Sequence, residues 1–257
     1  MRRYYLLFLS FLIWMSAGAQ TARVQIIHNS PDPAVDIYIN GNLEIPDFGF
    51  RTATPFINLP AGTELDIAVA PAGSTSVADA VATFEDVVFD EGNTYVVTAS
   101  GVVGSAETPF TLIVNAEGRE AASNPALVDI SVLHGSPDAP AVDVDAVFIG
   151  NLISNLAYGE FTGYLGIPAA VYDIAIRPAG NPAVVATFRA DLSGLAGGAA
   201  TVFASGFLGG TPAFGLFAAL PDGAVIELPL SPPARVQIIH NSPDPAVDIY
   251  ANGGLLV

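Results

Sequence analysis

"ARVQIIHNSPDPAVDIY", Ala22 to Tyr38, returns letter for letter at Ala234 to Tyr250. A looser copy, "VDISVLHGSPDAPAVDVDAVFIGN", runs from Val128 to Asn151, and its His134 lies 106 residues from both His28 and His240. The likeness continues past the phrase. "PAGTELDIAVAPAG" (Pro60 to Gly73) matches "PAAVYDIAIRPAG" (Pro168 to Gly180), Val-Ala-Thr-Phe recurs at Val81 and Val185, and Ala-Ser-Gly recurs at Ala99 and Ala204. A period near 106 residues suits one sandwich domain, whereas solenoid repeats are shorter. The phrase therefore reads as the start of a repeated domain.

The first copy divides into seven short Val/Ile/Phe/Ala runs: Arg23–His28, Ala34–Asn40, Ala53–Leu59, Thr63–Ala70, Val77–Phe84, Thr94–Ser100 and Phe110–Val114. Turn residues separate them, among them Ser30-Pro31-Asp32, Asn40-Gly41, Pro60-Ala61-Gly62 and Pro71-Ala72-Gly73. No long stretch follows a 3.6-residue period, so the chain reads as all-β. An outer-membrane barrel would need longer alternating strands than these proline-interrupted ones. The expectation is two tandem immunoglobulin-like β-sandwich domains and the truncated start of a third. Residues 20–115 form the first, 116–125 a polar linker, 126–230 the second, and 231–257 the incomplete repeat. The last has room for two strands and a turn, and a lone hairpin cannot bury a core.

Residues 1–19 read as a secretory signal peptide: Arg2 and Arg3, an apolar run from Tyr4 to Met15, then Ala17-Gly18-Ala19. The apolar run is too short to span a bilayer. Export to the surface or medium of a Gram-negative bacterium is expected, with no membrane insertion after cleavage. The chain has no cysteine, so the domains hold together without disulfides. Without the leader, six basic residues, all arginine, face 25 acidic ones, a net −19. Such a surface repels nucleic acid and anionic membranes.

All three histidines sit in His-x-Ser-Pro-Asp. His28, Ser30 and Asp32 do not make a hydrolytic triad. Alternate strand residues stand about 6.5–7 Å apart, and a triad needs converging groups within about 3.2 Å. Instead, Ala22, Val24, Ile26 and His28 share one strand face, as do Val128, Ile130, Val132 and His134. Histidine ends an inward apolar stripe, which makes it a half-buried residue bonded to backbone where strand meets turn. Ser30, Asp32, Ser136 and Asp138 read as turn-makers, and Asp36 and Asp143 complete the structural motif. A cation site is the competing reading: Asp138, Asp143 and Asp145 are the candidate ligands, and carboxylates suit calcium. Tyr38 stands where Asp145 does, so the first copy lacks the third acid. Otherwise no cofactor is expected. No His-Glu-x-x-His, phosphate loop or Gly-x-Ser-x-Gly elbow is present. Tyr158, Phe161 and Tyr164 could stack on sugars, but their alternation favours core.

The strings "HNSPDPAVDIYING", "HGSPDAPAVDVDAVFIGN" and "YGEFTGYLGIPAAVYDIAIRPAG" resemble the domain-of-unknown-function 4397 family of bacterial extracellular proteins. The likeness rests on His-x-Ser-Pro-Asp-x-x-x-Val-Asp and the later Pro-Ala-Gly, and covers Ala22–Val114, Val128–Leu220 and the third start. It implies an immunoglobulin-like sandwich, often in tandem, and brings no catalytic residue. The functional expectation is a non-catalytic extracellular array serving as cell-surface spacer or adhesion module, its partner a surface glycan or protein. A carbohydrate- or calcium-binding module is the alternative, and an envelope hydrolase ranks last.

Overall fold

The computed structural model describes residues 20–31, 33–232, 237–251 and 254–255. The leader and Asp32 lie outside the described residues. The chain is all-β and builds two sandwiches. In the first, β1 (Thr21–His28) is the hub of one sheet, and it pairs antiparallel with β4 (Thr52–Ala53) and β5 (Ile57–Pro60). On its other side it runs parallel to β8 (Thr94–Ser100), which pairs with β9 (Thr111–Asn115). The facing sheet has the order β3 (Asn42–Phe48), β2 (Val35–Ile39), β6 (Leu65–Pro71), β7 (Ala82–Val87). Val24, Ile26, Val35, Ile37, Leu65, Val69 and Val97 meet between the sheets, with an edge-on Phe89–Tyr95 pair closing one end.

The second sandwich repeats this plan. One sheet is β13 (Leu165–Pro168), β10 (Leu127–Leu133), β16 (Ala199–Ser205), β17 (Gly215–Ala219), β18 (Val225–Leu228). The other is β12 (Gly150–Leu156), β11 (Val142–Ala146), β14 (Val171–Pro178), β15 (Ala186–Asp191). The pair β10–β16 is parallel, as its counterpart is.

Two local readings are corrected. Asn42–Phe48 is a strand that the sequence hid: it is mostly exposed and carries Pro46, which an edge strand tolerates. Asn40 and Gly41, at φ 50° and 79°, make the tight left-handed turn leading into it. Val77–Phe84 is not one strand, because Val77–Asp79 forms a 3-10 turn capped reciprocally by Ser76 and Asp79, and β7 starts only at Ala82.

The faces of β1 and β10 turned away from their own cores are buried too, against each other's domain. Ile27, Phe56 and Val96 pack on Leu133, Phe203, Phe217 and Ala219. The contacts are reciprocal. Gln25 donates to the Leu220 carbonyl (2.7 Å), and its counterpart Ser131 accepts from Asn115 (3.2 Å). Asn29 and Gly135 are equivalent positions and meet directly: the Asn29 amide donates to the Gly135 and Ala204 carbonyls at 3.2 and 3.1 Å. Arg51 lies over Phe217, 4.3 Å from the ring centroid, and donates to Ser205 Oγ (3.0 Å) and the Ala213 carbonyl (2.7 Å). Equivalent positions of the two sandwiches thus meet each other, as in an isologous contact.

The linker is fastened to both sides. Gly118 N–H donates to Thr94 O (2.8 Å) and Glu120 pairs with Arg23 (2.7 Å). Arg119 pairs with buried Asp129 (2.5 Å), and Ala122 N–H donates to Gly197 O (2.9 Å). Residues 237–240, identical to Gln25–His28, form no strand and are exposed, and the described part of the third repeat holds only the short ladder β19 (Tyr250–Ala251) with β20 (Gly254–Leu255).

Candidate functional site

The recurring phrase lies at one end of each sandwich, where β1 or β10 runs out into a turn. His28 and His134 are fully buried rather than half-buried, at 0% and 2% exposure, each enclosed within its own domain by an aromatic ring, Phe48 for His28 and Tyr158 for His134, and by the loop that carries the bonded proline. His28 Nε2 contacts the Pro33 carbonyl at 3.2 Å and His134 Nε2 the Pro140 carbonyl at 2.9 Å. A carbonyl only accepts, so Nε2 carries the proton in both rings. Ser30 N–H donates to His28 Nδ1 at 3.3 Å, consistent with that tautomer. Burial holds both imidazoles below the ordinary histidine value, partly offset by these carbonyl bonds. Both are neutral near neutral pH.

The described serine and aspartate side chains of the signature, Ser30, Asp36, Ser136, Asp138 and Asp143, hold loops. Ser30 Oγ donates to Gly101 O (2.8 Å), and Ser136 Oγ donates to Gly206 O (2.7 Å). Those carbonyls belong to the recurring Ala-Ser-Gly, which explains why the two motifs travel together. The Asp138 carboxylate accepts from Leu208 N–H (2.8 Å) and Gly209 N–H (3.1 Å). Asp36 accepts from Asp47 N–H (2.9 Å) and from Ser74 N–H and Oγ–H (2.9 and 2.7 Å). Asp143 repeats this with Asn155 N–H and Gly180 N–H, both at 2.9 Å. Asp47 and Asn155 have φ near +50°, so the aspartate pins a left-handed kink on one side and the turn closing Pro-Ala-Gly on the other. These donors hold both carboxyls below the usual carboxylate range, Asp47 N–H leading for Asp36 and Gly180 N–H for Asp143.

The three candidate calcium ligands do not converge. Asp138 faces the 208–209 loop, Asp143 holds Asn155 and Gly180, and Asp145 forms an ion pair with Arg177 and accepts from Asn151. Among the described residues no three acidic or imidazole side chains are grouped to hold a metal ion.

Tyr158, Phe161 and Tyr164 lie at the domain seam rather than on a sugar-facing surface. Phe161 packs into the shared cluster and Tyr158 Oη approaches Ser100 Oγ (3.5 Å). Tyr164 Oη accepts from Arg119 N–H (3.0 Å) beneath the Arg119 guanidinium. The most exposed aromatic among the described residues is not one of these three. Phe148, at the turn between β11 and β12, is 105% exposed with φ 65°, a left-handed backbone uncommon for a bulky residue. Ile149 beside it is also exposed. The signal was available: the first domain uses Asn40-Gly41 at the same turn.

The chain matches the family described as Domain of unknown function (DUF4397) over residues 22–145 and 128–219, and it belongs to that family. No curated protein matches it. One similar solved structure is described as "Alpha-glucan binding by a streptococcal virulence factor", at 7% identity over 72% of this chain and 93% of that one, TM-score 0.23. Another, "Alpha-glucan recognition by family 41 carbohydrate-binding modules from streptococcal virulence factors", stands at 10% identity, the same coverage and the same TM-score of 0.23. Likeness at that level says nothing about what this chain binds. No helix among the described residues is long and apolar enough to cross a membrane.

Proposed function

We propose that this tandem member of the family is a non-catalytic, exported module that acts as a cell-surface spacer or adhesion surface. One observation carries the reading: the described polar side chains of the signature are engaged in holding loops, and the two sandwiches are locked by reciprocal contacts. A nucleophile needs a free, activated group beside a base. Ser136 instead donates to a carbonyl, and His134 donates from Nε2 to Pro140. The test compares cells that export the chain with cells that lack it, for attachment to glycan- and protein-coated surfaces. Attachment should fall without the chain and survive His134→Ala in any variant that still folds. Turnover in a broad hydrolase panel, abolished by His134→Ala, overturns the reading.

A second reading, glycan binding, is favoured by Phe148 alone. An aromatic ring presented to solvent on a left-handed turn offers a flat face for a sugar. Glycan-array signal lost in Phe148→Ala, with unchanged melting temperature, would place recognition at that tip.

A further inference from the structure

A cavity of about 370 Å3 lies between the two sheets of the second sandwich. A second one of about 110 Å3 adjoins it across Val132, Val144, Ile176 and Leu216. The matching space in the first sandwich is only about 30 Å3. The same fold is therefore able to pack this region tightly.

The difference traces to a few aligned positions. Val24 pairs with Tyr95 in the first domain, and its counterpart Ile130 pairs with Ala200. Leu65 pairs with Val87, and its counterpart Tyr172 pairs with Ala190. Two residues further on, Phe89 is replaced by Leu192. The edge-on Phe89–Tyr95 pair that closes the first core is thus gone from the second. Tyr172 does not restore it, because its hydroxyl is directed to the Pro168 carbonyl (2.8 Å).

We propose that this cavity binds a neutral, chiefly hydrocarbon molecule, the acyl chain of an uncharged lipid being the class that fits. The walls are chiefly Ile, Leu, Val and Ala side chains with the Tyr172 ring among them, and the volume lies within the range of ligand pockets. An apolar cavity of about 150 Å3 already admits benzene. β15 is tied to the stretch after β18 by Arg189 N–H to the Pro229 carbonyl (2.8 Å), and exposed Arg189, Asp191 and Glu227 line the cavity's edge beside that bond, which is where the proposal puts the entrance. Two carboxylates against one guanidinium, on a chain of formal charge −17, disfavour an anionic head group.

The experiment titrates the exported chain with the fluorescent probe N-phenylnaphthylamine and displaces it with decanol or decanoate. One saturable probe site per chain is expected, emptied by decanol and at least about tenfold less readily by decanoate. Ala200→Tyr, which copies the residue closing the first domain, should weaken probe binding by more than about tenfold, with Ala200→Leu between it and the parent. Circular dichroism and melting temperature report whether each variant folds. Absence of saturable binding to the parent overturns the proposal, as does undiminished binding to folded Ala200→Tyr. If Ala200→Tyr does not fold, Ala200→Leu decides by the same criterion. Decanoate displacing as well as decanol overturns the assignment to neutral ligands.

Discussion

His28 and His134 act in the folded chain as neutral donors, each tying a strand end to a proline carbonyl. Because burial lowers their proton affinity, the unfolded chain takes up protons first as pH falls. Their contribution to stability is whole above the ordinary value of 6.5 and is lost as pH drops below it, levelling off only beneath the folded-state value. Urea midpoints should therefore decline between about pH 7.5 and pH 5. The decline should be shallower in the His28→Gln, His134→Gln double variant. Asn29 offers a second test at this scale. Its amide bonds two carbonyls of the other domain, and Asn29→Ala leaves them without that donor, so a loss of about 1–3 kcal/mol in denaturant unfolding is expected. Gly135→Ala should damage the same place from the opposite side, since a methyl group there would overlap the Asn29 amide and sit 2.6 Å from the Ala204 carbonyl.

At the scale of elements, Asp36 and Asp143 explain why Val-Asp and Pro-Ala-Gly recur as a pair: the acid holds the turn. Asp36→Ala takes the buried acceptor away from the part-buried Asp47 and Ser74 N–H groups and should cost about 1–3 kcal/mol by thermal unfolding. Period-two alternation and turn residues made most strands legible, along with the inward stripe ending in histidine. They did not reveal β3, whose residues face solvent and break the pattern at Pro46. They also did not reveal that Gln25 and Ile27 are covered by a second domain, because alternation assigns a face without saying what meets it. The repeated phrase shows this limit directly. Ile27 is 0% exposed within β1, whereas Ile239, in identical sequence, is 76% exposed outside any strand. Pairing partners, rather than local propensity, decide whether those letters become a strand.

For the whole molecule, the reciprocal seam makes the two sandwiches one mechanical unit. Calorimetry should show a single transition for residues 20–230, and the Arg51→Ala, Phe217→Ala pair should separate it into two. A rigid two-domain block suits a spacer or adhesion surface, and the wide second core and the Phe148 tip give the second domain features that the first lacks. These asymmetries were not legible beforehand, since Tyr95 and Ala200 count equally as apolar strand residues in a periodic pattern.

The signature's aspartates act by holding loops. Amide hydrogen exchange of Asp143→Ala against the parent tests it at single residues. Exchange should be faster at Asn155 and Gly180, the two N–H groups the carboxylate accepts from, with distant strands unaffected. Unchanged protection at both amides would contradict it.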